Sequence, residues 1–460
     1  MARKKRHAQQ TPVEPESFLG CLNHFLTPAV WRQVLRGWPR GAVRWQPQPL
    51  LLVLMLMTWC AGESQAERFE TARAFYVASY QRKRRPGKSV EGFQKALAHV
   101  PARALRLAAA AIRTRLQQVF AAFWLVDGFV PLGCDGSTLA CPRSPELQRR
   151  LRADTVQDGQ PPTVWVTAFV HLSLGLLWSW RLGGAHASEQ RHLMHLLGTL
   201  PQLALIVTDA GYKGYQLLQA IANSKRSFLI RLSCKAPLYT TERVNMRRFK
   251  EGLAYYWPLE VQEQQQPPLE VRVIHLPRKG KGKADVWLLT NVLDSERLSR
   301  ETASKFYRWR WRNEGLFRTY KRTLGKVKLL GRTVAQVHRE AEGSLLAVQL
   351  LLAHGALALA QDGDAGRRLP SARQVLLEIR AEIRDVTGMY LGPRQRCSYL
   401  DRLRRAQRPR WRRRRTNQVR RTWPTRQDHK PPKPPKFRRM GTDLKELLAK
   451  TLGTPTDAVS

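Results

Sequence analysis

The stretch LALIVTDAGYKG, Leu203–Gly214, determines the class of fold that this sequence predicts. Its run of apolar residues stops at Asp209, and glycines and a helical pattern follow. A short buried strand that ends at a turn and leads into a helix is typical of an α/β core. Two runs upstream also have strand character, namely FVPLGCDGS at Phe129–Ser137 and TVWVTAFVHLSLGLLWSWRLGG at Thr163–Gly184. We therefore predict an α/β region over residues 123–345.

The segments on either side of this region, and one within it, have different patterns. Residues 17–122 are predicted to be all-helical, since apolar residues recur every three or four positions in ALRLAAAAIRTRLQQVFAAF, Ala104–Phe123. Between residues 233 and 289, strand-like pieces alternate with Gln/Pro and Lys/Gly runs, which predicts a β-rich insertion. Helical periodicity returns at Ser295, breaks at DGDAG and resumes, so we predict C-terminal helices over residues 346–394.

The charge of the chain indicates a polyanionic partner. The 460 residues include 79 Lys and Arg against 35 Asp and Glu, a formal net charge of +44, which is more than solubility requires. Nucleic acid is the first interpretation of this charge, and an anionic membrane surface is the second. The arginines of the N-terminal helices make that region a candidate DNA-binding domain, with a solvated basic face as the alternative.

Both ends of the chain are predicted to lack a fold of their own. Residues 1–16 form a basic and then polar arm, without the apolar centre of a signal peptide. Residues 395–460 are rich in Arg, Lys and Pro, which predicts a largely disordered polycation that neutralises phosphates without reading sequence.

Two further features predict a cytoplasmic protein that does not enter membranes. The strongest apolar run, Leu50–Ala61, is shorter than the roughly 18 residues that a membrane span requires. The six cysteines match neither a disulfide framework nor a zinc-binding spacing, which fits a reducing compartment. With the charge of the chain, we expect a protein associated with the nucleoid.

Three carboxylates are candidate catalytic groups. Asp135 and Asp209 stand where apolar strand runs stop, and the carboxyl ends of strands in an open α/β sheet line the crevice where ligands bind. Taken singly, each aspartate also fits an ordinary turn or a helix N-cap. Glu314 is the one acid in YRWRWRNEGLFRTYK, Tyr307–Lys321, a stretch rich in basic and aromatic residues.

The residues around Glu314 predict a functional helix face. On one continuous helix Tyr307, Arg310, Glu314 and Lys321 share a stripe about 60° wide, because each residue rotates by about 100°. We predict that this stripe is exposed, since a core would leave its charges without enough partners. The plain alternative is a surface ion pair between Arg310 and Glu314.

Taken together, the three acids suggest metal-dependent phosphoryl chemistry. Three converging carboxylates would hold two Mg²⁺ ions, with Mn²⁺ as a substitute, against a phosphodiester. Arg310, Lys321 and Tyr307 would then bind the flanking phosphates.

These motifs resemble the DDE transposases of bacterial insertion sequences, and in particular those of the IS-four type. The resemblance rests on DGS at Asp135, on IVTDAGY around Asp209 and on WLLTNVL ahead of a helix. It rests above all on the complete Tyr-x2-Arg-x3-Glu-x6-Lys signature of that type, from Tyr307 to Lys321. It covers about residues 133–321.

The resemblance implies an RNase H-like catalytic fold interrupted by a β-rich insertion between the second and third acids. It implies that Asp135, Asp209 and Glu314 bind Mg²⁺ and that Tyr307, Arg310 and Lys321 contact phosphates near the cleaved DNA end. The implied activity is cleavage at the terminal inverted repeats of an element and strand transfer into target DNA, by a dimer in a synaptic complex with double-stranded DNA.

Two details of the family bear on the cleavage route. In some relatives the cut passes through a DNA hairpin, and a tryptophan of the insertion stacks on a flipped base; Trp257 and Trp287 are the candidates for that role. The insertion is short for this branch, which puts the hairpin route in doubt. The sequence contains no GxxxxGK[ST] loop, which agrees with transesterification that needs no ATP.

Weaker alternatives to these assignments follow from the same patterns. Residues with part of a catalytic or metal-binding signal are Asp127, Glu296, Glu301, His186, His192 and His195. The histidines lack the further ligands of a zinc site, and the acids lack either the strand end or the basic stripe. Two other functions are possible: a DNA-binding derivative without catalysis, and an RNase H-like nuclease that does not join strands.

Overall fold

The computed structural model describes residues 17–38, 45–80, 85–151, 160–184, 186–277, 285–388, 398–408 and 433–452. The chain divides into two compact units. We call them the helical unit, which comprises Met1–Phe120 and Thr319–Pro409, and the sheet unit, which comprises Ala121–Arg318 and Arg410–Ser460.

The strands of the described chain lie in the sheet unit. They are β1 (Val130–Ala140), β2 (Thr163–His171), β3 (Leu176–Gly183), β4 (Ala204–Thr208), β5 (Ser227–Arg231), β6 (Leu238–Thr240), β7 (Glu251–Tyr256), β8 (Leu269–Leu276), β9 (Val286–Thr290) and β10 (Phe437–Arg439). The helices of this unit are α7 (Pro145–Leu151), α8 (Glu189–Leu196), α9 (Tyr215–Asn223), α10 (Leu259–Glu263), α11 (Arg300–Trp309), α12 (Arg312–Arg318) and α16 (Thr442–Leu452).

All these strands belong to one mixed sheet, in the order β10-β6-β7-β8-β9-β5-β4-β1-β2-β3. β4 lies parallel to both β1 and β5, whereas β1, β2 and β3 form an antiparallel meander. A core cluster joins the sheet to α11, with Leu205, Val207 and Leu229 packed together with Phe306 and Tyr307. The sheet unit therefore has the α/β architecture that the sequence predicts.

The segment predicted as a β-rich insertion, residues 233–289, contributes β6, β7, β8 and β9. These strands extend the same sheet, because β9 pairs antiparallel with β5, with Leu229 opposite Thr290. β10 then adds to the outer edge, parallel to β6. The alternating pattern identified the strands, but it carried no information about the pairing that joins them to the sheet.

The helical unit contains the remaining helices of the described chain. They are α1 (Phe18–Phe25), α2 (Pro28–Arg36), α3 (Pro47–Trp59), α4 (Gln65–Ser79), α5 (Val90–Ala98), α6 (Ala102–Val119), α13 (Val334–Gln361), α14 (Ala372–Val386) and α15 (Tyr399–Gln407). α13 is the core of this unit and packs against α3, α5, α6 and α15.

One helix, α13, is long and apolar enough to cross a membrane, but 89% of its apolar window is buried inside the protein. The apolar run around Leu50 likewise forms α3, whose residues from Pro49 to Trp59 are all buried. Their burial against each other accounts for their apolar character.

The predicted boundary between the α/β region and the C-terminal helices, at residues 345 and 346, is wrong. α13 continues through that position without a break, and Leu345 and Leu346 are both buried in it. Helices α13, α14 and α15 belong to the same unit as the N-terminal helices, so this unit is assembled from two distant parts of the chain.

The predicted disorder of residues 395–460 also needs correction. α15, β10 and α16 all lie within that range. The reason for α15 is a buried stripe of Tyr399, Leu400 and Leu403 beneath its arginines, a short amphipathic pattern that the overall basic composition concealed. The predicted arm, residues 1–16, lies outside the described residues, as do residues 395–397, 409–432 and 453–460 of the predicted tail.

Because His171, at the end of β2, is buried, we expect the sheet unit to lose stability in acid. Burial, followed by the nearby Arg312 guanidinium, lowers the pKa of His171 to about 4 from the ordinary 6.5. The unfolded chain therefore binds a proton at this histidine more readily than the folded chain does. The contribution of His171 to the free energy of unfolding is thus complete above about pH 6.5 and is lost as the pH falls toward 4. We expect a loss of at most about 3 kcal/mol in the free energy of unfolding.

The pH effect is measured by urea unfolding at several pH values. His171→Gln, whose side-chain amide can still donate to the Trp124 carbonyl that the ring contacts at 3.0 Å, should flatten the pH dependence. The exposed His195→Gln is the control and should leave the slope unchanged. An equal slope in all three proteins would contradict the assignment to His171.

Candidate active site

Asp135 lies inside β1, five residues before the strand ends at Ala140. The prediction that a strand stops at Asp135 is therefore wrong, because β1 continues in pairing with β2, where Asp135 is opposite Ala168. What ends near Asp135 is the pairing of β1 with β4, whose last partners are Gly133 and Val207. The Asp135 carboxylate thus lies where the pairing of β1 with β4 has ended, while the pairing of β1 with β2 continues.

Asp209 follows β4 directly and caps the 3-10 turn Ala210–Tyr212. Its Oδ1 accepts a hydrogen bond of 2.8 Å from the backbone N–H of Gly211. Extending the β1–β4 register by two residues brings Asp135 level with Asp209. Asp135 on β1 and Asp209, directly after the parallel strand β4, therefore lie at the same level of the sheet.

Glu314 lies on α12, a short helix that packs against β1 and β2. The guanidinium of Arg312 donates to the carbonyls of Leu172 and Ser173, which fixes the start of α12 at the end of β2. The fully buried Asn313 lies over Gly133, where an added Cβ would be 2.5 Å from its Nδ2. These contacts place Glu314 beside the strand that carries Asp135.

The charges of Asp209 and Glu314 both act on Asp135. The pKa of Asp135 is raised, mainly by burial, and the charges of Asp209 and Glu314 raise it further. The hydrogen bond from the Gly136 N–H, 2.9 Å long, and the charge of Arg310 act in the opposite direction. Charges that repel one another in this way favour the binding of a cation among them.

The side chains fit a divalent metal ion by their chemistry, since carboxylate oxygens are the donors that Mg²⁺ and Mn²⁺ prefer. Asp209 and Glu314 are exposed and Asp135 is half-buried, so solvent and ions can reach all three. Among the described residues, however, no three His, Cys, Asp or Glu side chains are arranged closely enough to enclose an ion. The assignment of ligands therefore stays a prediction.

The predicted stripe around Glu314 does not exist as one continuous helix face. The helix breaks between α11 and α12, and a π-helical turn, Thr319–Thr323, follows α12. Tyr307 is only 4% exposed and belongs to the core of the sheet unit, and Arg310 is 9% exposed. The expectation of an exposed stripe was therefore wrong for these two residues.

Arg310 keeps features that suit contact with an anion, whereas the environment of Lys321 disfavours its charge. The Nε of Arg310 is buried and has no hydrogen-bond partner in the part of the chain that the structure describes. Its guanidinium lies 4.8 Å from the ring centre of the exposed Trp311, and its charge reaches Asp135. Lys321, in the helical unit, is half-buried, and burial lowers its pKa.

The candidate tryptophans for stacking on a base are both buried. Trp257 is fully buried and donates its Nε1–H to the carbonyl of Gln266 at 2.9 Å. Trp287 is 7% exposed and stacks on His275 at 4.2 Å between ring centres. Within the described ranges, Trp311 is the tryptophan with the largest exposed fraction, 55%.

The weaker candidate residues have structural partners of their own. Asp127 accepts hydrogen bonds of 3.0 Å from both Thr302 and Lys305, which ties it to α11. His192 is bonded to the Thr167 hydroxyl at 2.9 Å inside the sheet unit. The sequence analysis did not identify Glu189, which is half-buried at the start of α8. Burial raises the pKa of Glu189, and the charges of Asp135 and Asp209 raise it further.

Gly133→Ala is expected to separate Glu314 from Asp135. A methyl group at position 133 would meet Asn313 and Leu172 at 2.5–2.7 Å, so α12 would have to move away from β1. We expect a loss of about 1–3 kcal/mol in stability by thermal unfolding, together with weaker activity well below the melting temperature. The control is Gly198→Ala, where the new Cβ meets nothing within 4 Å. Equal stability of the two variants would contradict the placement of α12.

Comparison with known proteins finds a match over the part of the chain that contains these acids. Residues 134–350 match the family model of a transposase DDE domain, and this range contains Asp135, Asp209 and Glu314. The chain is also similar to a solved structure, the cryo-EM structure of the piggyBac transposase synaptic complex with hairpin DNA. The identity is 10%, 86% of each chain is covered, and the TM-score is 0.44. Comparison with curated proteins finds no match.

Proposed function

We infer that this chain is a DDE transposase, an enzyme that cleaves DNA at the ends of a mobile element and joins those ends to target DNA. The observation that carries this conclusion is the match of residues 134–350 to a transposase DDE domain, a range that contains Asp135, Asp209 and Glu314. The net charge of +44 suits a DNA substrate.

We propose that Asp135, Asp209 and Glu314 are the catalytic carboxylates of this enzyme and the ligands of its divalent ions. DDE transposases as a family use divalent metal ions, and we propose two Mg²⁺ ions here, with Mn²⁺ as a substitute. When bound, such ions activate the attacking oxygen and stabilise the leaving oxygen of the phosphodiester. The placement of Asp135 on β1 and of Asp209 directly after the adjacent parallel strand β4 supports the assignment.

The residues of the chain would contribute position and charge to this reaction. Asp209 is held by the Gly211 N–H and Asp135 by the Gly136 N–H, so both carboxylates are oriented before DNA binds. Arg310, close to Asp135, would bind a phosphate oxygen of the cleaved strand. Cleavage and joining each exchange one P–O bond for another, so no ATP is needed.

The finer assignments are proposals that rest on the motifs. We propose an RNase H-like core and the IS-four type of bacterial element, because the signature from Tyr307 to Lys321 is complete. Lys321 and Tyr307 are proposed to act near the cleaved end, Lys321 through its charge and Tyr307 by positioning from the core. We also propose a homodimer acting on double-stranded inverted repeats in the cytoplasm, at the nucleoid.

The test is an assay that separates cleavage from joining. The full-length chain is mixed with Mg²⁺ or Mn²⁺, a supercoiled target plasmid, and labelled duplexes taken from the inverted repeats that flank its own reading frame. We expect labelled 3′ ends joined to the plasmid. Fragments without joined product would indicate a nuclease, and bound but uncut duplex would indicate a DNA-binding derivative; either outcome would overturn the proposed function.

A further inference from the structure

Glu189 lies next to the active site and has no part in the function proposed above. It is the first residue of α8, whose N-cap Ser188 accepts a hydrogen bond of 3.4 Å from the N–H of Arg191. α8 packs against β1, β2 and β3, so its first turn lies over the strand that carries Asp135.

The carboxylate of Glu189 rests on the backbone of Gly136, the residue that follows Asp135. A Cβ atom at position 136 would lie 2.2 Å from Oε1 of Glu189, a separation that no side chain at that position could keep. The N–H of Gly136 donates to Oδ1 of Asp135. Glu189 therefore packs directly on the peptide that orients Asp135, and glycine is what permits this approach.

The same carboxylate is also tied to the segment that follows Asp209. The hydroxyl of Tyr212, the last residue of the 3-10 turn that Asp209 caps, lies near this carboxylate, since it opposes the rise in the pKa of Glu189 that burial causes. Tyr212 is 1% exposed, and the thiol of Cys134 lies 3.8 Å from its hydroxyl oxygen. One glutamate thus lies between both aspartate segments, against Gly136 on one side and near Tyr212 on the other.

Unpartnered polar atoms beside this link indicate that a ligand completes the site. The hydroxyl of Thr208, next to Asp209, is fully buried without a hydrogen-bond partner among the described residues. Nε1 of Trp165 is also buried and unpartnered in the described chain, and it lies 2.9 Å from the Cβ that Gly136 lacks. Buried polar groups of this kind are normally satisfied by water or by a bound group.

We propose that Glu189 is a positioning residue of this active site, which holds the Asp135 and Asp209 segments at a fixed separation and adds a fourth negative charge that favours divalent metal binding. This inference rests on the proposed function of the site. The partners that orient metal ligands typically contribute a factor of about 10 to 100 in metal affinity.

The test measures Mn²⁺ binding to the DNA-free full-length chain by calorimetry, beside the Mn²⁺ concentration that gives half-maximal cleavage. Glu189→Gln keeps the shape and the acceptor for Tyr212 and removes the charge. We expect about 10-fold weaker Mn²⁺ binding and an equal rise in the half-maximal concentration, with an unchanged melting temperature. The exposed Glu263→Gln on α10 is the control for loss of one negative charge. Wild-type Mn²⁺ affinity in Glu189→Gln overturns the proposal.

A second variant covers the case in which Glu189→Gln does not fold. Tyr212→Phe removes the hydroxyl that lies near Glu189 and that the thiol of Cys134 contacts. We expect weaker Mn²⁺ binding here as well; wild-type affinity would overturn the positioning role. Asp135→Asn identifies which idea fails. If Asp135→Asn loses Mn²⁺ binding and cleavage while Glu189→Gln and Tyr212→Phe behave as wild type, only the role of Glu189 is wrong. If Asp135→Asn keeps both, the proposed function itself is wrong.

Discussion

Glu314→Gln is expected to lower both DNA cleavage and strand transfer by about 1,000-fold, which corresponds to roughly 4 kcal/mol of transition-state stabilisation. The amide keeps the size of the side chain and removes the charge that a divalent ion requires. Because Glu314 is exposed on α12, the change should leave the melting temperature and the affinity for DNA at the wild-type level.

The matched control is Glu301→Gln, an exposed glutamate in the first turn of α11. This control removes the same charge from the same region of the chain. Glu301 lies on α11, before the helix break, whereas Glu314 lies on α12, after it. Single-turnover cleavage of a labelled inverted repeat, with Mg²⁺ and then Mn²⁺, measures the effect. Activity within about 10-fold of wild type in Glu314→Gln would remove Glu314 from the reaction.

The sequence predicted the types of residue at this site better than their geometry. Asp135 and Asp209 were identified as strand-associated acids, but their common height depends on the parallel pairing of β1 with β4. That pairing joins two strands that are separated in the sequence by β2, β3 and the helices α7 and α8. A local hydrophobic pattern specifies which residues form a strand and contains nothing about its register with a distant one.

The prediction of one exposed helix face around Glu314 was wrong because the helix is broken between α11 and α12. A rotation of 100° per residue applies only to an unbroken helix, whereas the chain bends after Trp309 so that Phe306 and Tyr307 enter the core and α12 packs on β1. Tyr307 is amphipathic, so its presence beside arginines did not distinguish a buried ring from an exposed one. Buried aromatic residues of this type are set by tertiary packing, which the local pattern does not encode.

Glu189 could not have been found by spacing alone. A glutamate that follows a serine at the start of a helix is a common N-terminal pattern and needs no functional explanation. Its importance here comes from the glycine at position 136 and the tyrosine at position 212, which meet it only in the folded chain. The discontinuous helical unit was hidden for the same reason, since a contact between α13 and α3 leaves no mark in either segment by itself.

Glu340→Ala is expected to destabilise the helical unit by about 3–5 kcal/mol, because it breaks a buried ion pair and removes two further hydrogen bonds. Oε1 of Glu340 lies 2.9 Å from Nζ of Lys326, and both side chains are only 9% exposed. Oε2 accepts from the N–H groups of Leu330 and Gly331 at 2.7 and 3.0 Å. One carboxylate thus holds the chain segment between the π-helical turn and α13.

The surface pair Asp364–Arg368 supplies the matched comparison within the same unit. Its atoms approach equally well, at 2.7 Å, but its side chains are 32% and 34% exposed, so Asp364→Ala should cost no more than about 1 kcal/mol. Urea unfolding of both variants measures the contrast. Similar losses would mean that solvent reaches Lys326 and Glu340 as freely as the surface pair, and the segment before α13 would then be held by its apolar contacts.

Glu340→Ala also separates stability from chemistry in this enzyme. Glu340 lies in the matched transposase range, yet its hydrogen bonds within the described chain go to none of the three acids proposed to be catalytic, so its loss should act through the folded fraction alone. Cleavage by Glu340→Ala is therefore expected to recover at low temperature, where the helical unit is folded, whereas Glu314→Gln should stay inactive at every temperature at which it is folded. Inactivity of a folded Glu340→Ala protein would show that the segment between Lys326 and Gly331 has a direct role in the reaction.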